Sequence, residues 1–229
     1  GYNGSIQSDS YGITGYLGSD ASSDILTGSV TGLAATGKDA TAYTITAGGT
    51  LSSAQNYQVQ YGTGVLTIDK AALTLAAVTD SRGYNGDATS TGTVGVTGLQ
   101  GSDTVTNKVQ TFDSKNAGSR TLSVTGYTVN DGNGGNNYTV TTQTAVGSIA
   151  RAALTIDAVT DSKTYDGDAT STGVVSVTGL QGSDTVTGKT QAFDSKNAGT
   201  RTLSVTGYTL NDGNSGDNYE VDIFEGGAD

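Results

Sequence analysis

The chain alternates short runs of apolar and small polar residues, and this period-two pattern predicts β-strands that each bury one face. The clearest runs are Leu73–Leu75, Val94–Thr97, Thr104–Thr106, Leu122–Thr125 and Tyr138–Val140. Turn-forming segments such as QGSD, KNAG and NDGN separate the runs. No segment keeps the period of 3.6 residues that an amphipathic helix requires, so the pattern predicts an all-β fold.

The pattern of strands and turns recurs in similar repeats along the chain. Residues 71–140 align with residues 152–221, and about 55 of the 70 aligned positions are identical. A diverged third copy precedes them, because GYNG occurs at residues 1–4 and again at 83–86. The pair Asn56-Tyr57 likewise matches Asn137-Tyr138 of the next copy.

The repeat boundaries predict three domains, which are 1–69 without its first strand, 70–150, and 151–229 without its last strand. Short strands at roughly ten-residue spacing predict that each domain is a small antiparallel β-sandwich of the immunoglobulin-like kind. The connecting segments DKAALT and ARAALT contain neither Gly nor Pro, unlike a flexible linker. We therefore expect a stiff, elongated rod of roughly 100 Å.

Composition restricts the possible chemistry. The chain has 35 glycines, no His and no Cys, and its formal net charge is −11. Without His or Cys it lacks the commonest general base, transition-metal ligand and thiol nucleophile, so we expect neither catalysis nor a cofactor. The negative charge argues against nucleic-acid binding, and no apolar run is long enough for membrane insertion.

Acidic residues in the glycine-rich loops suggest calcium binding as an alternative. The candidate ligands are Asp131, Asn133, Asp212, Asn214 and Asp217. Their spacing differs from that of an EF-hand loop, and Asp and Asn also hydrogen-bond their own backbone in turns. We expect turn formation, and a rise in melting temperature on adding Ca²⁺ is the observation that would favour the cation.

Aromatic residues recur at matching positions of the two similar repeats. They are Tyr84, Phe112, Tyr127 and Tyr138, with the copies Tyr165, Phe193, Tyr208 and Tyr219. Because the chain has no Trp and few other large side chains, we expect these rings to pack in cores or between repeats. A platform for sugars is the alternative.

Several motifs resemble the YDG and related MBG-type (mostly-β, glycine-rich) repeats of large bacterial secreted and surface adhesins, including filamentous-haemagglutinin-like proteins. The motif residues are Tyr84, Gly86, Asn116, Gly118, Tyr138, Tyr165, Gly167, Asn197, Gly199 and Tyr219. The resemblance covers the second and third repeats almost throughout, and the first more loosely through NYQVQYGTGVLTI. It implies an extracellular, cell-surface location and a stalk architecture, and it implies no catalysis.

These features together predict a structural spacer that holds a binding tip away from the cell or within a biofilm matrix. The expected partners are neighbouring repeats of the same chain, and a matrix polysaccharide or host surface contacted through regions outside this chain. Two alternatives stay open. The repeats could bind exopolysaccharide through their acidic loops, or chains could polymerise into a fibre by strand donation.

Overall fold

The computed structural model of the protein describes residues 1–21, 23, 26–34, 36–53 and 57–227, so the predicted match at Asn56 lies outside the described residues. The regular elements of this part are β-strands, which confirms the all-β prediction. Within it, no helix has the length and apolar character needed to cross a bilayer. The chain divides into two compact units, formed by residues 1–76, 95–108 and 126–143, and by residues 77–94, 109–125 and 144–229.

The strands follow the predicted apolar runs and extend several of them. In chain order they are β1 (Leu26–Thr27), β2 (Val30–Thr31), β3 (Ala42–Thr46), β4 (Gly48–Gly49), β5 (Ser52–Ser53), β6 (Thr63–Thr67), β7 (Ala71–Ala76), β8 (Ser81–Gly83), β9 (Gly95–Thr97), β10 (Thr104–Phe112), β11 (Gly118–Asn130), β12 (Tyr138–Gln143), β13 (Ala145–Ala150), β14 (Ala152–Asp157), β15 (Ser176–Thr178), β16 (Thr185–Phe193), β17 (Thr202–Asn211), β18 (Tyr219–Phe224) and β19 (Gly226–Gly227).

Among the described residues of the first unit, three two-stranded antiparallel ribbons accompany a three-stranded sheet. The ribbons pair β1 with β5, β2 with β4 and β3 with β6. In the sheet, β7 lies between β9, which is antiparallel to it, and β12, which is parallel. The buried core consists of Tyr2, Ile68, Leu73 and Tyr138. The first two residues belong to the first repeat and the others to the second, so this core crosses a repeat boundary.

The second unit contains a three-stranded sheet of the same kind. Strand β14 lies between the antiparallel β15 and the parallel β18. Strand β17 lies between β16 and β19, and β13 lies between β11 and β8. The largest buried cluster combines second-repeat and third-repeat residues, namely Ala77, Tyr84, Phe112, Leu122, Ile149, Leu154, Ile156, Val175 and Tyr219. The apolar core is again continuous across a repeat boundary.

The prediction of purely antiparallel sheets is wrong. Strands β7 and β12 run parallel, as do β14 and β18, and β8 and β13. Alternation of apolar and polar residues reports which face of a strand is buried, but it is the same for a parallel and an antiparallel neighbour. The first strand of each similar repeat pairs with one that follows more than sixty residues later, a separation long enough for a parallel connection.

The prediction that the recurring aromatic rings are packed holds for some of them. Four are buried, those of Tyr84, Phe112, Tyr138 and Tyr219, and Phe193 is half-buried. Tyr127 and Tyr208 are exposed, which contradicts the prediction. Along β11, Leu122 is buried and Val124 packs against its cluster, whereas Tyr127 lies farther along the strand, where side chains are exposed or only partly buried. Tyr165 is also exposed, for a reason given below.

A buried glutamine explains much of the repeated DATSTG segment. Gln110 Oε1 accepts a hydrogen bond from the Val78 amide at 2.8 Å, and its Nε2 donates to the Val78 carbonyl at 2.9 Å and to Ser90 Oγ at 2.9 Å. Ser90 Oγ in turn donates to the Asp80 carboxylate at 2.6 Å. The same contacts recur around Gln191 in the third repeat. The repeated polar residues therefore satisfy buried polar groups of the fold.

Candidate functional site: the junction between repeats

A buried aspartate accepts two tyrosine hydroxyls where the second and third repeats meet. Asp184 Oδ2 accepts hydrogen bonds from Tyr84 and Tyr219, each at 2.8 Å. Tyr84 comes from the second repeat, whereas Asp184 and Tyr219 come from the third. The Lys115 ammonium lies 3.8 Å from Asp184 Oδ1 and 6.0 Å from the centre of the Tyr84 ring. These contacts satisfy a carboxylate that is only 9% exposed and whose unpaired burial would be costly.

The same contact joins the first repeat to the second. Asp103 Oδ2 accepts hydrogen bonds from Tyr2 at 2.8 Å and from Tyr138 at 2.7 Å. The two tyrosine rings meet edge to face, with centroids 5.4 Å apart and planes at 77°. At the other junction the corresponding values are 5.4 Å and 76°. The junction geometry is thus repeated along with the sequence.

The QGSD turn positions the aspartate. The Asp184 amide donates to the Gln181 carbonyl at 3.1 Å, and Gly182 adopts a φ of 57°, in the left-handed region that favours glycine. The Gln181 amide donates to the hydroxyl of Tyr219 at 2.7 Å, which fixes that ring beside the turn. A Cβ on Gly86, in the turn after Tyr84, would lie 3.1 Å from the Gly182 Cα. Two glycines therefore allow the backbones of successive repeats to approach closely.

A buried asparagine forms a second link across each boundary. Asn218 Oδ1 accepts a hydrogen bond from the Ala117 amide at 2.8 Å, and Asn137 Oδ1 accepts one from the Ala40 amide at 2.8 Å. Both asparagines are fully buried. Each bond ties a side chain of one repeat to the backbone of the preceding repeat. The bond to Ala117 therefore fixes the KNAG turn of the second repeat, and the bond to Ala40 fixes the corresponding segment of the first repeat.

The KNAG turn itself is closed by local contacts. The Arg120 guanidinium donates to the carbonyls of Asn116 and Ala117 at 2.7 and 2.8 Å. Gly118 ends the turn with a φ of 126°, which favours glycine at this position. The corresponding Gly199 of the third repeat has a φ of 127°.

Each junction therefore has two complementary parts. The donor half is formed in the second repeat by Tyr84, Gly86, Lys115, Asn116 and Ala117. The acceptor half is formed in the third repeat by Gly182, Asp184, Asn218 and Tyr219. Both boundary-crossing hydrogen bonds described above, from tyrosine to aspartate and from alanine amide to asparagine, run from a donor half to an acceptor half.

The loops considered for calcium hold the buried asparagines in place. Asp212 Oδ1 accepts hydrogen bonds from the amides of Asn214 and Gly216 at 2.8 Å, and its Oδ2 accepts one from the Asn218 amide at 3.1 Å. Burial raises the pKa of Asp212, but these amides outweigh that effect and leave the pKa below its ordinary value. Asn214 Nδ2 donates to Asn218 Oδ1 at 3.1 Å. The carboxylate is therefore already satisfied by the backbone of its own loop.

The second-repeat loop has the same arrangement. Asp131 accepts hydrogen bonds from the amides of Asn133 and Gly135, and Asn133 Nδ2 donates to Asn137 Oδ1 at 2.9 Å. Asp217 lies apart on the surface, 3.6 Å from the Arg151 guanidinium. Among the described residues, no three acidic side chains are grouped as metal ligands. Calcium binding stays an untested alternative, and the hydrogen bonds of these loops hold the buried asparagines of the junction in place.

In the described part of the chain, the donor half of the third repeat has no acceptor half against it. Tyr165 is 62% exposed, and a Cβ on Gly167 would meet no atom within 4 Å. Asn197 and Gly199 are also exposed. The prediction that Tyr165 is packed is wrong for the described residues, among which no aspartate accepts a hydrogen bond from its hydroxyl as Asp184 does from Tyr84. Tyr84, at the same motif position of the second repeat, is by contrast buried against the third repeat.

The sequence pattern of the YDG domain matches residues 69–145 and 150–224, which together make up more than half of the chain. The chain belongs to the YDG domain family. No curated protein and no solved structure matches the sequence. In the first of these two YDG domains, the tyrosine that begins the motif, Tyr84, binds Asp184 of the next repeat.

The sequence motifs include most of the junction residues but do not show that these residues lie together. Asp103 and Asp184 end the two QGSD segments, which the sequence pattern identifies only as turns between strands. Their partners Tyr2 and Tyr84 lie about a hundred residues earlier in the chain. The available signal was that tyrosine, aspartate and Asn-Tyr are retained together in every similar repeat.

We predict that Tyr84→Phe lowers the free energy of unfolding by about 1–2 kcal/mol, because it removes a hydrogen bond to a buried carboxylate. The matched control is Tyr165→Phe, the same substitution at the same motif position, which should change stability by less than about 0.5 kcal/mol. Urea-induced unfolding of both variants measures the difference. Equal effects of the two substitutions would contradict the assignment of Tyr84 to a junction.

The junction tyrosines should also ionise at a higher pH than an unfolded tyrosine does. Burial, with a smaller contribution from the hydrogen bond to Asp103, raises the pKa of Tyr138 to about 12. Burial likewise raises the pKa of Tyr219 to about 12, and raises the pKa values of Tyr2 and Tyr84. An unfolded tyrosine has a pKa of about 10, so the folded state retains these protons more tightly. Their contribution to stability is therefore complete below pH 10 and is lost as the pH rises from about 10 to about 12.

Ultraviolet absorbance of tyrosinate, recorded with circular dichroism, checks this behaviour. At least four of the twelve tyrosines should ionise only as the fold is lost. Tyr84→Phe should remove one group from the phase of ionisation that accompanies loss of the fold. Ionisation of all tyrosines near pH 10 with the fold intact would refute the junction hydrogen bonds.

Proposed function

We propose that the chain is a spacer segment of an extracellular stalk, of the kind that holds the binding tip of a bacterial adhesin away from the cell or within a biofilm matrix. Its YDG domains, and a first repeat of the related MBG type, are small sandwiches arranged as a rod. The observation that carries this proposal is that the same set of hydrogen bonds joins the repeats at both boundaries.

Two further features support a stiff connection. Only Arg151 separates β13 of the second repeat from β14 of the third, so the link itself has little freedom. The apolar clusters continue across both boundaries, so bending there would expose apolar surface to water. A spacer needs this property because its reach depends on the angle between neighbouring repeats staying fixed.

The charge of the chain suits the same role. A net charge of −11 keeps neighbouring stalks apart through mutual repulsion and favours solubility. The acidic residues that do not enter the junctions lie mainly in exposed turns, as Asp87 and Asp168 do. The proposal requires no catalytic group and no cofactor.

Small-angle X-ray scattering of residues 1–229 tests the proposal. Three repeats in a rod of roughly 100 Å predict a radius of gyration of about 29 Å, whereas a compact globule of this length predicts about 17 Å. Asp184→Ala should broaden the distance distribution by loosening one junction, and Tyr165→Phe should leave it unchanged. A radius near the compact value, or the scattering profile of a flexible coil, would overturn the rod.

Binding of exopolysaccharide is the second candidate, and one observation favours it. The first unit contains a cavity of about 460 Å³ whose lining includes Tyr11, Tyr16, Tyr57 and Tyr61. The Tyr16 hydroxyl is buried and has no hydrogen-bond partner among the described residues. Aromatic rings beside a free hydroxyl suit a sugar. Glycan-array binding that is lost in Tyr61→Ala would favour this role over a passive spacer.

A further inference from the structure

Two of the repeats carry an Asn-Gly pair directly after the junction tyrosine. The pair is Asn85-Gly86 in the second repeat and Asn3-Gly4 in the first, whereas the third repeat has Asp166 at the asparagine position. An asparagine followed by glycine is prone to spontaneous ring closure, because glycine has no side chain to keep its backbone nitrogen away from the preceding side-chain amide. The junction turns therefore contain the residue pair in which the covalent structure of a chain changes most readily.

The Asn85 side chain is placed for this reaction. It is exposed to solvent, and its Oδ1 accepts a hydrogen bond from the Asp87 amide at 3.1 Å. This is an Asx turn, in which the side-chain amide curls toward the backbone of the next residue. The Gly86 backbone nitrogen makes no hydrogen bond within the described part of the chain, so it is free to react. A hydrogen bond to Oδ1 also stabilises the negative charge that this oxygen acquires when a nitrogen attacks Cγ.

We propose that Asn85 is a site of spontaneous deamidation, and that the product loosens the junction between the second and third repeats. The Gly86 backbone nitrogen loses its proton to hydroxide, attacks Asn85 Cγ and forms a C–N bond. The side-chain nitrogen takes a proton from water, which regenerates the hydroxide, and leaves as ammonia. Water then opens the resulting succinimide ring at either of its two carbonyl carbons, giving an aspartate or an isoaspartate at position 85. This inference does not depend on the stalk role.

The third repeat indicates how the fold accommodates the aspartate product. Asp166 Oδ1 accepts a hydrogen bond from the Asp168 amide at 3.2 Å, which is the turn that Asn85 makes in the second repeat. The Asp166 carboxylate also lies 2.9 Å from the Lys163 ammonium. Arg82 occupies the position of Lys163 in the second repeat, so an acid at position 85 has a cation at the corresponding place. The aspartate product should therefore leave the junction turn unchanged.

The isoaspartate product differs because it adds a methylene group to the backbone between residues 85 and 86. A Cβ on Gly86 would lie only 3.1 Å from the Gly182 Cα, so the turn has little space for a longer backbone. Tyr84, which immediately precedes the altered link, donates the hydrogen bond to Asp184. The isoaspartate should therefore weaken both this hydrogen bond and the close packing of the two glycines.

The chain has two other Asn-Gly pairs, which serve as internal comparisons. Asn3 is exposed, and its Oδ1 accepts a hydrogen bond from the Ser5 amide at 3.0 Å, so it should react like Asn85. Asn133 is half-buried, and its Nδ2 donates to the Oδ1 of the buried Asn137 at 2.9 Å. Because this bond holds the side-chain amide in place, Asn133 should react more slowly.

Incubation of residues 1–229 in mildly alkaline buffer, followed by peptide mapping with mass spectrometry, tests the proposal. The amide of Asn85 should be lost faster than that of Asn133, and the loss should accelerate as the pH rises, since hydroxide removes the Gly86 proton. Isoaspartate should appear at position 85, because direct hydrolysis of the side chain gives aspartate alone. Loss of the Asn85 amide no faster than that of Asn133, or aspartate as the sole product, would overturn the proposal.

Urea-induced unfolding before and after incubation measures the effect on the junction. The wild type should lose stability on incubation, whereas Asn85→Gln should lose less, because a glutamine side chain has to close a larger ring. Both chains keep Asn3, so the difference between their losses reports position 85. Freshly prepared Asn85→Asp should match the fresh wild type, which separates the new charge from the longer backbone. Isoaspartate at position 85 without a loss of stability would refute the loosening of the junction.

Discussion

A carboxylate buried between two tyrosine hydroxyls, one from each of two successive repeats, is the contact on which this architecture depends. Neither repeat can satisfy the group alone, because the second tyrosine comes from the neighbour. A buried carboxylate with too few partners is expensive, and so is a polar tyrosine hydroxyl left without one. The stable arrangement is therefore the joined one. Stability in such an array is shared between a repeat and its nearest neighbours.

The hydrophobic core follows the same rule. Leu154 and Ile156 of the third repeat are fully buried in one cluster with Tyr84 and Phe112 of the second. A YDG repeat of about 80 residues is near the small end of what folds alone. Sharing apolar surface with the next repeat compensates for the limited core of each one. The polar junction then determines which surfaces meet and in which orientation.

Much of the fold could be predicted from the sequence, because it is encoded locally. The alternation around Leu73 and Leu122 correctly located strands, and the glycines of the KNAG turn marked a change of backbone direction. The direction of β12 beside β7 could not be predicted, since a strand carries the same alternation in either orientation. The partner of Tyr84 could not be predicted either. Its acceptor lies a hundred residues away, and a single sequence does not report such pairings.

The central claim is that Tyr84 and Asp184 are energetically coupled across a repeat boundary. A double-mutant cycle of Tyr84→Phe and Asp184→Ala, measured by urea-induced unfolding, tests it most directly. The account predicts that the two substitutions together cost less than the sum of their separate effects, with a coupling of about 1–3 kcal/mol. Effects that add to within about 0.3 kcal/mol would contradict it.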